Sequence, residues 1–141
     1  MDLKDTIKLQ ELKDLMVKKL TNGDPELVLD IGLQALKISE DWQIYRDMGC
    51  SSLRLEKYKD AIDFFKQQLK IVAKTKNAGV LQQLWAYLNL INAQYLDKDY
   101  KAAMKTCRKL KIFNLNSENV QWWRMKGPYR RIKFLWFWSH T

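Results

Sequence analysis

Apolar residues recur at three- and four-residue steps along most of the chain, the spacing of one face of an α-helix. Over 2–21, Leu3, Ile7, Leu12, Leu15, Val17 and Leu20 make such a stripe, with charges between them. Asn22-Gly23-Asp24-Pro25 interrupts it. Glycine suits the residue past a helix end, and aspartate followed by proline suits the start of the next helix. The pattern predicts a second helix over 25–38, a break at Ser39-Glu40-Asp41 with Ser39 or Asp41 as cap, and a third helix over 42–55. A fourth follows over 58–74, and Lys76-Asn77-Ala78-Gly79 reads as a loose connection. The fifth, over 80–96, is rich in apolar residues; Asp97-Lys98-Asp99 then turns the chain into a sixth that ends near Phe113. A short seventh is predicted over 117–124, before Gly127-Pro128, and 129–141 has no clear period.

Composition agrees with an all-α chain. With 5 Gly and 2 Pro in 141 residues, the turns that a β-sandwich or barrel needs about every 8–12 residues are missing. Hydrophobic content of 47% beside 29% charged residues supports a buried core rather than disorder. No run approaches the roughly 18 apolar residues of a membrane span. Met1-Asp2-Leu3-Lys4-Asp5 leads into no apolar stretch of the secretory kind, so an intracellular, cytoplasmic protein is expected.

Candidate chemistry is sparse. Cys50 and Cys107 are accompanied by a single histidine, His140, whereas structural zinc takes four Cys/His ligands and an activated nucleophile takes a held histidine. Both cysteines are expected to act as small buried hydrophobes. Asp60, Asp63, Asp97 and Asp99 sit at turns and helix starts, where capping explains them. No enzyme, metal or cofactor is expected.

The helices fall into three short-loop pairs over 2–113, and the pairs resemble one another. Tyr45-x2-Met48-Gly49, Tyr58 and Ala61-x3-Phe65 map, after a displacement of 42, onto Tyr87-x2-Leu90, Tyr100 and Ala103-x3-Cys107. The first pair is weaker: Leu12-x2-Leu15, Gly23-Asp24 at the turn, and Val28 where the alanines stand. The pattern is similar to the tetratricopeptide repeat, whose helix pairs carry large-x2-Leu-Gly-x2-Tyr and then Ala-x3-Phe. Ile91 stands for its glycine, Cys107 for its phenylalanine, and Ser52 and Gln94 for its tyrosine; no repeat has the closing proline. Val28 to Ala61 is 33 positions but Ala61 to Ala103 is 42, which implies two helices lengthened by about one turn each. That form resembles the scaffold members of the family that bind extended peptides.

The resemblance implies an α-solenoid of about three antiparallel helix pairs, 1–113, working as a non-enzymatic adaptor or scaffold. It places the partner peptide along the first helix of each pair. The implied contacts are Gln43, Arg46, Cys50, Leu53 and Arg54, then Trp85, Leu88, Asn89, Asn92 and Tyr95. Asn92 occupies the place of an asparagine that holds the peptide backbone, a task suited to an amide that both donates and accepts. Arg46 and Arg54 would offer forked donors to an acidic or phosphorylated partner.

Charge leaves an alternative open. Of the net +9, about half falls in 113–141, and Lys66-Lys70-Lys74 and Lys98-Lys101-Lys105-Arg108 form stripes on the fourth and sixth helices. Such stripes are solvated faces, or else a basic module that docks on nucleic acid or an acidic membrane. Aromatic residues do not interleave with the lysines as single-strand recognition needs. The segment 114–141 is set apart as an aromatic, basic tail: four of the six tryptophans, Trp122, Trp123, Trp136 and Trp138, lie in it. It reads as a cap on the open end of the repeats, as an anchor at a membrane interface, or as an unrelated ending on a short form of a longer repeat protein.

Overall fold

In the computed structural model, residues 1–76 and 78–109 are described, and they form six helices: α1 (Leu3–Thr21), α2 (Pro25–Leu36), α3 (Trp42–Arg54), α4 (Tyr58–Val72), α5 (Val80–Leu96) and α6 (Tyr100–Arg108). The described residues contain no strand. The expected continuation of the sixth helix to Phe113, the seventh helix over 117–124 and the tail 114–141 lie outside the described residues. Each helix packs against the next in the chain, and α1 also touches α3.

The turns inside the three pairs are one turn repeated. Gly23, Glu56 and Lys98 all have left-handed backbone, with φ of 78°, 58° and 62°. In each turn the next residue donates back to a carbonyl five positions earlier: Asp24 to Lys19 at 2.9 Å, Lys57 to Ser52 at 2.8 Å, Asp99 to Gln94 at 3.0 Å. The left-handed residue itself donates three positions back, to Leu20, Leu53 and Tyr95. This double bond satisfies carbonyls that a helix end leaves open. Three positions into each following helix stand Val28, Ala61 and Ala103, and none of them has any exposed surface. The expected lengthening is present: α4 has 15 residues against 12 in α2, and α5 has 17 against 13 in α3.

The core runs along the chain as successive clusters. Leu9, Met16, Val28, Ile31, Ala35, Ile44 and Met48 fill the first, among α1, α2 and α3. Ala61 and Phe65 meet Leu90 and Ala93 between α4 and α5, and Leu84, Leu88, Ile91, Ala103 and Cys107 fill the space between α5 and α6. At one crossing the pairs share a rule of size. Gly49 lies under the ring of Phe65, where a methyl group would come within 2.7 Å of Cδ1 and 2.8 Å of Cζ. The matched residues in the third pair are Ile91 and Cys107, and in the first pair Met16 and Gly32. All of Met16, Phe65, Ile91 and Cys107 are fully buried, and a methyl group on Gly32 would meet Met48 Cγ and Sδ of α3 at 2.6 Å and Met16 Cε at 3.2 Å. Every pair therefore sets one large residue against one small one, and which helix carries the large one changes. Ile91 and Cys107, departures from the tetratricopeptide pattern taken singly, fill one shared space together.

Two sequence expectations are corrected. The buried stripe of α1 is Leu9 and Met16, with Leu12 and Leu20 beside them, whereas Leu3, Ile7, Leu15 and Val17 are exposed. Helical spacing identifies an apolar face but not whether a neighbour covers it, and α1 packs chiefly on α2 and α3. The turn tyrosines, Tyr58 and Tyr100, are expected from the repeat pattern to fill the space between paired helices, but Tyr100 is exposed and meets Tyr95 edge-on at 5.5 Å. Asp41, not Ser39, caps α3, accepting from Gln43 N at 2.8 Å.

A side chain in the left-handed region costs roughly 1–2 kcal/mol, part of which glycine returns as lost chain entropy. Glu56→Gly and Lys98→Gly are therefore expected to stabilise the chain by about 0.5–1 kcal/mol each, and Gly23→Ala to destabilise it by a similar amount. Urea midpoints of the three variants check this; a loss of stability in both glycine variants contradicts the turn assignment.

Candidate functional site

α3 touches α1 directly and shares a core cluster with α4 and α5. On one side, Lys13 of α1 reaches Asp41 Oδ2 at 2.7 Å while the other carboxylate oxygen caps the helix. Arg54 Nη1 donates to the carbonyl of Leu20 at the end of α1. On the other side, Cys50 and Leu53 pack against the cluster that holds Leu90 and Ala93 of α5.

The displacements of 33 and 42 make Val17, Cys50 and Asn92 equivalent positions of α1, α3 and α5. Val17 is exposed, and Cys50 and Asn92 are half-buried. One turn toward the helix starts come Lys13, Arg46 and Leu88, and one further come Gln10, Gln43 and Trp85. The side-chain amides of Asn92 and Gln43 bond to no described residue, so both keep donor and acceptor available.

Not every expected residue stands open on this surface. Leu88 is buried in the α5–α6 cluster, against which Trp85 and Tyr95 also pack. Asn89 is turned to α4, donating to Gln68 Oε1 at 3.4 Å. Arg54 is exposed but occupied by the Leu20 carbonyl.

Arg46 is the most constrained of the expected contacts. Its Cζ lies 5.3 Å from the centre of the Trp42 ring, a cation–π approach one helical turn apart. Its Nε donates to Asp47 Oδ1 at 3.1 Å. Asp47 is 5% exposed. Burial pushes its carboxyl above the ordinary value, and the Arg46 guanidinium pulls the other way without overcoming it. The Cys50 thiol is likewise raised, by burial first and then by Asp47. Cys107 is pushed up to about 12 by burial alone. Neither sulfur is therefore a ready thiolate.

Lys13, Val17 and Asp47 were not among the residues read from sequence. The same displacement that matches Gly23 to Glu56 would have found Lys13 and Val17. Asp47 carries no such signal, because burial of an aspartate within a helix is decided by what packs over it.

Away from this surface, Lys66, Lys70, Lys74, Lys101, Lys105 and Arg108 are exposed. A depression of about 330 Å³ lies where the α3–α4 turn meets Asp97, lined by Glu56, Lys57, Tyr58, Lys59, Asp60 and Asp97. Lys59 pairs with Asp97 across it at 3.3 Å. Among the described residues no group of three or more His, Cys, Asp or Glu side chains could hold a metal ion, and no helix is long and apolar enough to cross a membrane. Compared with known proteins, the chain matches no family model and no curated sequence significantly.

Because the folded-state value of Asp47 is raised from 3.8, its contribution is fully present below the ordinary carboxylate range and is lost as pH rises through the raised value. Asp47→Asn removes that loss. The unfolding free energy of the variant minus that of the parent should rise with pH across this window and then level off. Urea unfolding over a pH series measures it, and a difference that falls with pH contradicts the burial account.

Proposed function

We propose that the chain is a tetratricopeptide-like repeat adaptor that binds an extended peptide segment of a partner protein along α1, α3 and α5, without catalysis. The observation that carries this reading is the threefold match of turn, buried small residue and large–small crossing. Pairs so matched present their first helices in the same sense, and stacked pairs of this kind make long binding surfaces rather than enclosed pockets. Asn92 and Gln43 would bond the peptide backbone, Val17 and Leu53 would take apolar side chains, and Arg46, fixed on Trp42, would set the register. Backbone hydrogen bonds supply affinity in such a mode and the flanking side chains supply choice. The non-enzymatic reading is supported by thiols that stay protonated, by Asp41 and Asp99 engaged in capping and by Asp47 and Asp97 engaged in ion pairs; Asp60 and Asp63, expected as caps, stand inside α4 and cap nothing.

Peptides selected on the full chain from a display library test the reading. Asn92→Ala and Arg46→Glu should each weaken a selected peptide by at least about 1.4 kcal/mol, a tenfold loss, with the helical spectrum unchanged. Reversal of Lys66, Lys70 and Lys74 to glutamate should have little effect, and affinity should respond weakly to salt. If the lysine reversal abolishes binding and log K falls steeply with log salt, on the order of −0.9 per phosphate contact, a basic module docking on nucleic acid or an acidic membrane replaces the adaptor.

A further inference from the structure

We infer that the segment taken by α1, α3 and α5 is uncharged, although the chain as a whole is strongly basic; the inference rests on the adaptor reading and names the chemistry of its partner. The argument is one of charge already matched. Among the matched positions, the central set, Val17, Cys50 and Asn92, carries no charge, nor does the set of Gln10, Gln43 and Trp85. The only cations between them, Lys13 and Arg46, are each held by a carboxylate, Asp41 at 2.7 Å and Asp47 at 3.1 Å. These four side chains sum to zero. The third cation at the edge, Arg54, is tied to a backbone carbonyl.

An acidic side chain brought to Arg46 would therefore meet Asp47 and Asp41 as well as the guanidinium. Opposite contributions cancel at these separations, while the incoming carboxylate still loses its hydration. A phosphate, with nearly twice the charge and stronger hydration, is penalised more. A cationic side chain is refused for the mirror reason. Peptide amides and apolar side chains meet no such penalty, and the amides of Asn92 and Gln43 match them directly. Lys66 and Lys70 of α4, Lys74 just past it, and Lys101, Lys105 and Arg108 of α6 are exposed on other elements, so none of them stands at these positions. Asp41 and Asp47 act as specificity residues: they neutralise cations that would otherwise select acidic partners.

The test uses the full chain at pH 7.5 and a display library of random twelve-residue peptides. Selected sequences should have net charge near zero. Each is then synthesised in three forms, as selected, with one Asn or Gln changed to the corresponding acid, and with one phosphoserine, and titrated calorimetrically. Both charged forms should bind at least tenfold more weakly. In Asp47→Asn the cluster carries one positive charge, so the acidic form should gain about tenfold relative to the uncharged one. If that variant loses its helical spectrum, Asp41→Asn, which keeps a good capping residue and frees Lys13, makes the same measurement. Selected peptides rich in Asp or Glu, or a phosphorylated form that binds the parent more tightly, overturn the inference and leave the adaptor intact. A library that yields no binder removes the adaptor reading and this inference with it.

Discussion

The structure depends on how closely two helices of a pair can approach at a single crossing. Close packing tolerates neither a void nor an extra methylene there, so the two facing positions must share a fixed volume. Gly49 under the Phe65 ring is one solution, Ile91 against Cys107 another, and Gly32 between Met16 and Met48 a third. Near the start of each second helix, Val28, Ala61 and Ala103 are all sealed from solvent.

The turn between helices is the second constraint, and it is met with less regard for residue type. A left-handed residue is required at each end, yet only Gly23 is glycine; Glu56 and Lys98 hold the same conformation. The paired backbone bonds and the following helix hold those turns closed. Polar choices tie the pairs further: Thr106 donates to Gln94 at 2.8 Å across α5 and α6, and Lys59 reaches Asp97 between α4 and the last turn.

Much of this was legible in the chain, and what was not has physical causes. Gly23, Pro25 and the apolar steps located the helices to within a few residues, because caps and breakers act locally. The displacement of 42 was legible through Tyr45, Tyr58 and Ala61, but the first pair was faint, since Met16 and Gly32 invert the sizes found at Gly49 and Phe65. The apolar face of α1 was misjudged because coverage depends on neighbours distant in sequence. Gln43 and Arg46 lie on α3 and Asn92 on α5, as the helical pattern placed them, but the burial of Asp47 beside Arg46 and the pairing of Lys13 with Asp41 across 28 positions depend on tertiary packing and leave no local pattern.

The claim at the centre is that each pair closes on one shared volume, and transplanting the third pair's solution into the second tests it most directly. Gly49→Ile alone should overpack the crossing and cost about 1–3 kcal/mol; Phe65→Cys alone should open a cavity and cost about 3 kcal/mol. In the double variant the added isoleucine occupies the space the ring has left. Urea unfolding of the four proteins should then give a coupling of at least about 1 kcal/mol in the stabilising direction. Costs that simply add, within about 0.5 kcal/mol, would show that the two positions do not share a volume and would contradict the account.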